Sequence, residues 1–119
     1  MGNYFLLAVS ITLAITGQLL MKRGMMAIGA FPVSELISKL IPMFLNPFVF
    51  LGFAAFGLSS IFWLAVLSRL DLSLVYPMVS IGYVIIALLS WAFFGEAVSA
   101  LRWAGIFVIC VGVILISRS

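Results

Sequence analysis

Charged side chains are so sparse in this chain that they divide it into four long apolar runs. Of its 119 residues, six are Lys or Arg, three are Asp or Glu, and 66% are hydrophobic. Soluble domains are about one quarter charged, so these few charges could not cover a globule in water. The composition therefore indicates a protein whose solvent is lipid. It excludes a soluble enzyme, a nucleic-acid-binding protein and a disordered regulator.

Each apolar run is long enough to cross a bilayer as a helix, which takes about 20 mostly apolar residues. The predicted spans are Tyr4–Met21, Pro47–Ser68, Leu72–Phe94 and Leu101–Ser117. The second and third connections are very short, so they predict antiparallel hairpins. The sequence thus predicts an all-α membrane protein with four transmembrane helices in one domain over residues 1–119.

The first connection is longer and carries apolar residues at helical spacing. They are Leu36, Ile37, Leu40, Ile41 and Phe44. This pattern predicts a short interfacial helix on the membrane surface, with Ser34 as its N-cap and Pro42 limiting its length. Two interpretations of this helix remain open: a connector that covers the end of the bundle, or a gate beside a lipid entry slot.

Several chemistries are missing from the sequence. It has no His and one Cys, Cys110, which lies inside an apolar run. It shows no P-loop and no glycine-rich dinucleotide motif. We therefore expect no metal, no cofactor, no disulfide and no catalysis. The cations flank the apolar runs and form no basic patch, and their four-to-two bias towards loops one and three leaves the orientation open.

One strongly polar residue lies inside the first span. Gln18 stands one turn before Lys22 on the same helical face. Its amide could donate to a phosphate or sugar oxygen, or could bridge two helices, and the sequence does not decide between these roles.

Charged residues also meet at one membrane face. Spans one and three both end on the side of loops one and three, which brings Lys22, Arg23, Glu96 and Arg102 to the same face. Three cations with one carboxylate are typical of a phosphate clamp, in which Glu96 orients a cation or binds a substrate amine. The alternative is a set of interfacial anchors that snorkel to headgroups.

Aromatic and hydroxyl side chains supply further candidates for a substrate pathway. Trp63, Tyr76, Ser80 and Tyr83 suit sugar faces or isoprenoid chains, although aromatic residues in membrane helices also serve simple packing. Pro77 and Gly82 make the third span the one expected to bend.

Four helices enclose almost no cavity, so a pathway for a solute requires a second subunit. Gly105 and Gly112 lie seven residues apart on one face of the fourth span and are the candidate subunit contact. The predicted assembly is a dimer that forms an eight-helix transporter.

The chain resembles four-helix members of the drug/metabolite transporter superfamily, in its EamA-like and small-multidrug-resistance-like group. Within that group it is similar to the small subunits of aminoarabinose-phosphoundecaprenol flippases. The resemblance rests on the segments AITGQLLMKRGM, FWLAVLSRLDLSLVYPMVSIGYV and FFGEAVSALRWAGIFVICVGVILI. It implies a bacterial inner-membrane protein that moves a polyprenyl-phosphate-linked sugar between leaflets. It also implies contact with membrane lipids and work as a homodimer, or as a heterodimer with a paralogous subunit, through the Gly105/Gly112 helix.

The resemblance also supplies a contrast. Small multidrug exporters use a membrane-embedded Glu in span one for both proton and drug, and this chain has Gln18 in the corresponding region. An amide cannot titrate, so this departure favours the lipid-sugar flippase. Two other functions stay open: a proton-coupled exporter of small cationic drugs or metabolites, with Glu96 as its acid, and an accessory subunit of a heteromeric transporter.

Overall fold

The computed structural model describes residues 2–119, and this part of the chain is helical with no strand. Its elements are α1 (Gly2–Ile28), a 3-10 turn (Val33–Glu35), α2 (Leu36–Leu45), α3 (Pro47–Leu67), α4 (Leu72–Met78), α5 (Ser80–Phe94) and α6 (Ala100–Ser117). Four segments are long and apolar enough to cross a membrane: α1, α3, α4 with α5, and α6. The predicted all-α fold with four spans is confirmed.

The end of the first span is the largest error in the predicted boundaries. The apolar run stops at Met21, but α1 continues through the Lys22–Arg23 pair to Ile28. Lys and Arg are good helix formers, so charge ends the apolar run without ending the helix. The helix stops at Gly29, whose φ of 84° is left-handed and whose N–H donates to the Met25 carbonyl at 2.8 Å.

The predicted helix of the first connection is present as α2, but two details of the prediction were wrong. Ser34 lies in the 3-10 turn and does not cap α2; the N-cap position is Glu35, without a side-chain cap bond. Pro42 lies inside the helix and does not limit it. The last turn persists because it packs on α3, where the Phe44 and Phe53 ring centroids are 5.1 Å apart.

The apolar stripe of this segment stays open to its surroundings. Four of its side chains are between 72% and 85% exposed: Val33, Ile37, Ile41 and Leu45. An amphipathic helix with such a stripe lies with it against the acyl chains at the membrane surface.

The third span is interrupted, as its composition predicts. The chain leaves the α-helix at Val79, between α4 and α5. Pro77 has no N–H to donate to the preceding turn, so the helix is weakest next to it. The break thus falls between Pro77 and Gly82, the two residues that predict it.

Helices α1 and α3 form the tightest pair in the fold, joined along what we call the small-residue seam. On α1 the seam consists of Ser10, Gly17 and Gly24, and on α3 of Gly52 and Ser59; all five are buried. The members on each helix repeat every seven residues, the repeat that keeps one face towards a partner helix. The Ser10 hydroxyl donates to the Ser59 carbonyl across the seam at 3.0 Å. Small side chains therefore let the two backbones touch.

Asn46 ties the start of α3 to α1, and its removal is expected to destabilise the fold. Its side-chain oxygen accepts from the N–H groups of Phe48 and Val49 at 2.9 and 3.3 Å, while its amide nitrogen donates to the Gly24 carbonyl at 3.5 Å. We expect Asn46→Ala to cost about 1 kcal/mol, the usual value of an N-cap. Thermal unfolding in detergent measures the loss. Ser34→Ala is the control, since Ser34 caps nothing, and an equal effect of both variants would contradict the assignment.

An apolar cluster closes the bundle at the end where α3 turns into α4. Leu7, Val66 and Val75 are buried there, and Trp63 packs against them. At the edge of the bundle α6 packs on α4 and α5 but buries none of its own residues. Most of the α6 surface is therefore left for lipid or for another subunit.

Candidate functional site

A groove of about 370 Å³ runs between the α1–α3 pair and the α4–α5 span. Its lining includes Ser10, Ala14 and Gln18 of α1, Ser60 and Trp63 of α3, and Tyr76, Gly82 and Tyr83 of α4 and α5. Four of the predicted site residues thus come together: Gln18, Trp63, Tyr76 and Tyr83.

The shape of the groove follows from residue size. Gly82 lets α5 approach α1 so closely that a Cβ at this position would lie 3.1 Å from a methyl carbon of Ile11. At one end of the groove Trp63 and Tyr76 meet edge to face, with ring centroids 6.2 Å apart. The groove therefore extends from the Trp63–Tyr76 pair to Gln18, which lies one helical turn before Lys22.

Four side chains in the groove can offer hydrogen bonds to a ligand. Within residues 2–119 no hydrogen bond is made by the Gln18 amide, the Trp63 indole N–H or the hydroxyls of Tyr76 and Tyr83. The Ser60 hydroxyl, by contrast, already donates a hydrogen bond to the Phe56 carbonyl at 3.2 Å. Polar groups left open inside a membrane face a partner or a polar ligand.

The groove lining contains no carboxylate. Glu35 lies in the 3-10 turn, Asp71 at the N-cap of α4, and Glu96 just after α5, so all three acids of the chain stand outside the transmembrane helices. The hydrogen-bond donors of the groove are thus not opposed by an internal negative charge. Such a lining favours an anion or a neutral polar group over a cation.

An ion pair lies one helical turn beyond Gln18, at the end of the bundle where α5 is followed by the connection to α6. Lys22 Nζ and Glu96 Oε2 are 3.7 Å apart, and the side chains are 52% and 42% exposed. Glu96 is placed by the turn that ends α5: Gly95 is left-handed with φ of 66°, and the Glu96 N–H donates to the Ser90 carbonyl at 3.4 Å. The pair links α1 to the α5–α6 connection.

The other two predicted cations bind elsewhere. The Arg23 guanidinium lies over the Phe48 ring, 4.9 Å from its centroid. Arg102 donates to the Ala97 carbonyl at 3.2 Å, within the α5–α6 connection. Each of the three cations therefore has its own contact, and only Lys22 contacts Glu96.

Ser80 and the α6 glycines are placed apart from the groove. The Ser80 hydroxyl donates to the Pro77 carbonyl and does not line the groove. A Cβ built on Gly105 or Gly112 would meet no atom within 4 Å. The face of α6 that carries these two glycines therefore has no neighbour at either glycine within residues 2–119.

Sequence reasoning missed Ser10, Ala14 and Ser60 as groove residues. Ser10, Ala14, Gln18 and Lys22 follow one another at intervals of four, so they share one face of α1. This spacing was a usable signal, because it places two small residues in line with the two polar ones.

The comparisons with known proteins agree with this architecture. The EamA-like transporter family matches residues 3–118. The chain belongs to this family. A curated relative from Aeromonas salmonicida, a probable 4-amino-4-deoxy-L-arabinose-phosphoundecaprenol flippase subunit ArnE, is 32% identical over 96% of both chains.

Other relatives with the same printed name match over shorter stretches. The protein from Pseudomonas fluorescens is 37% identical over 61% of this chain and 64% of its own length. That from Pseudomonas savastanoi is 39% identical over 59% of this chain and 61% of its own length. In both, the matched part spans less than two thirds of the relative. No solved structure matches the chain.

Family and structure together place the protein in a membrane. As an EamA-like protein with four helices able to span a bilayer, it is a multi-pass protein of the bacterial inner membrane. The resemblance predicted from the sequence, to the drug/metabolite transporter superfamily and to small flippase subunits, is confirmed.

Proposed function

We propose that this EamA-like protein is a flippase subunit that moves a polyprenyl-phosphate-linked sugar, or a related anionic lipid, between the leaflets of the inner membrane. One observation carries the proposal: the groove offers four free hydrogen-bond donor side chains and no carboxylate, and Lys22 lies one turn beyond Gln18. The printed names of the relatives, which describe a flippase for such a lipid, support it.

The roles of the residues follow from the chemistry of such a lipid. Gln18 donates to phosphate or sugar oxygens, and Lys22 carries the opposite charge to the phosphate. Trp63, Tyr76 and Tyr83 present ring faces to the sugar and N–H or O–H groups to its hydroxyls. Because the groove replaces hydration that would otherwise be lost, the headgroup crosses without the full cost of burying an ion.

The lipid tail stays outside the groove. Tyr76 and Tyr83 are 62% and 58% exposed, so this side of the groove opens towards the surrounding bilayer. An isoprenoid chain in the acyl region can follow a headgroup that moves along the groove. In this mechanism no covalent bond forms or breaks, so the protein is a transporter and not an enzyme.

A second subunit completes the pathway in this proposal. The open face of α6 with Gly105 and Gly112 supports helix contact with another four-helix subunit, either a second copy or a paralogue. The word "subunit" in the relatives' names supports an assembly of this kind. Eight helices would enclose a groove that four helices leave open on one side.

The test is translocation of a polyprenyl-phosphate-linked sugar in proteoliposomes that contain the purified chain and any subunit that co-purifies with it. We expect Lys22→Ala and Gln18→Ala to slow headgroup translocation severely while leaving the assembly intact, since each removes a contact to the anionic headgroup. Lys39→Ala is the matched control, because Lys39 lies on α2 outside the groove lining.

Three results would contradict the proposal in different ways. Normal transport by both variants would show that Gln18 and Lys22 are not part of the substrate-binding site. Drug resistance that depends on Glu96, with substrate-driven proton flux, would identify a cation exporter. Activity that resides wholly in a co-purifying paralogue, unchanged by groove variants of this chain, would identify an accessory subunit.

A further inference from the structure

We infer that the Lys22–Glu96 ion pair opens to bind zwitterionic headgroups and selects for them. In the bound state the phosphate contacts Lys22 and an ammonium group contacts Glu96. The inference rests on the proposed function, because it concerns the headgroup of the same anionic lipid. It makes Glu96 a specificity-determining residue that distinguishes an amino sugar from a neutral one.

The Lys22–Glu96 ion pair is weak, so little free energy is needed to separate the two side chains. Its 3.7 Å separation is longer than a charge-assisted hydrogen bond, which is about 2.8 Å, and both side chains are about half exposed. Exposed ion pairs of this kind contribute little to stability. Within residues 2–119 neither charged group makes a hydrogen bond. Both therefore have bonding capacity to offer a ligand.

The position of the pair connects it to the groove. Lys22 follows Gln18 by one helical turn on α1, and Gln18 lines the groove. Glu96 belongs to the α5–α6 connection, where the left-handed Gly95 sets its backbone independently of Lys22. The pair thus bridges α1 and the end of α5 one turn beyond Gln18, so a headgroup that reaches Lys22 also reaches Glu96.

Charge balance explains why a pair suits this place better than a lone lysine. A lone cation would attract any anionic headgroup, whether or not that headgroup carries an amine. Glu96 repels a headgroup that brings only negative charge, and it attracts one that also brings an ammonium group. When a zwitterion binds, its phosphate replaces Glu96 as the partner of Lys22, and its ammonium group replaces Lys22 as the partner of Glu96. The net charge of the site therefore does not change. Selectivity then comes from the carboxylate.

The test compares two lipids that differ in one charge: a polyprenyl-phosphate-linked amino sugar and its N-acetylated counterpart. Both are offered to proteoliposomes prepared as for the proposed function. We expect the native protein to prefer the amine by about tenfold, the effect of one partly exposed charge contact. Glu96→Gln is expected to remove this preference, because it slows the amine-bearing lipid and relieves the repulsion of its N-acetylated counterpart, which is not slowed. Glu35→Gln is the control, an equal loss of charge in the 3-10 turn.

A charge-swapped variant separates selection from structure. Lys22→Glu combined with Glu96→Lys keeps an ion pair between the same two elements but reverses what each wall offers. We expect this variant to fold and to transport neither lipid. Transport at the native rate would show that the pair has only a structural role and would overturn the inference. Equal slowing of both lipids by Glu96→Gln, or equal native rates for both, would also overturn it while leaving the flippase proposal standing. Native protein that moves neither lipid would instead overturn the proposed function, and the inference with it.

Discussion

Gly17→Leu is expected to separate α1 from α3 and to destabilise the native bundle by about 3 kcal/mol or more. A Cβ on Gly17 would lie 2.6 Å from the Gly52 carbonyl oxygen and 3.0 Å from the Phe56 nitrogen, and both of these are backbone atoms that no rotamer change can move. Overpacking of a tight contact costs about 1–3 kcal/mol, occasionally more, and leucine adds three further carbons to this clash. The free energy of unfolding of a small domain is only about 5–15 kcal/mol.

The measurement is thermal unfolding in detergent, followed by tryptophan emission. Gly57→Leu is the matched control, because Gly57 lies in α3, the partner helix of the seam, but a Cβ there meets nothing within 4 Å. We expect the Gly57 variant to unfold near the native temperature and the Gly17 variant to unfold well below it. Similar melting of the two would contradict direct backbone contact along the small-residue seam. A normal melt for Gly105→Leu together with loss of self-association would in turn support α6 as the subunit contact.

Seven-residue spacing of glycines occurs twice in this chain and has two different outcomes. Gly105 and Gly112 drew attention in the sequence, yet in the structure they face no neighbour within the chain. Gly17 and Gly24 have the same spacing and are buried against α3. Spacing shows that two small residues share a helix face, but it does not tell which partner covers that face. That information resides in the packing of the whole bundle.

Hydropathy was sufficient for the spans because the bilayer sets their length. Three of the four predicted spans agree with the structure to within a residue at either end. The first failed at its end because Lys22 and Arg23 end the apolar run while favouring the helix. Helix ends depend on backbone geometry, here the left-handed Gly29, more than on polarity.

The predicted site divides along similar lines. Gln18 could be singled out because an amide inside an apolar span has few reasons to be there, and it lines the groove. Lys22 and Glu96 could be assigned to one membrane face by counting spans, and they form an ion pair. Counting spans cannot give the direction of a side chain around its helix. For that reason it also grouped Arg23 and Arg102 with the pair, although each has a separate contact.

Gln18→Glu is expected to cause the largest loss of transport of any single substitution in the groove. The substitution keeps nearly the same shape but places a carboxylate in a lining that has none. A phosphate that passes this carboxylate meets a like charge in a poorly solvated place, which is expected to slow translocation by on the order of 100-fold. The measurement is the initial rate of headgroup translocation in proteoliposomes.

Comparison with Gln18→Ala separates charge from hydrogen bonding at this position. Both variants lose the amide donor, and only Gln18→Glu adds a negative charge. If the groove serves an anion, the glutamate variant must be the slower of the two wherever residual transport can be measured. If the groove serves a cation, the order reverses, because a carboxylate in span one would then improve binding. A quaternary ammonium dye tests cation binding directly. If the glutamate variant binds the dye and the native protein does not, Gln18 prevents cations from binding in the groove. If the native protein already binds the dye, its groove lining does not select anions.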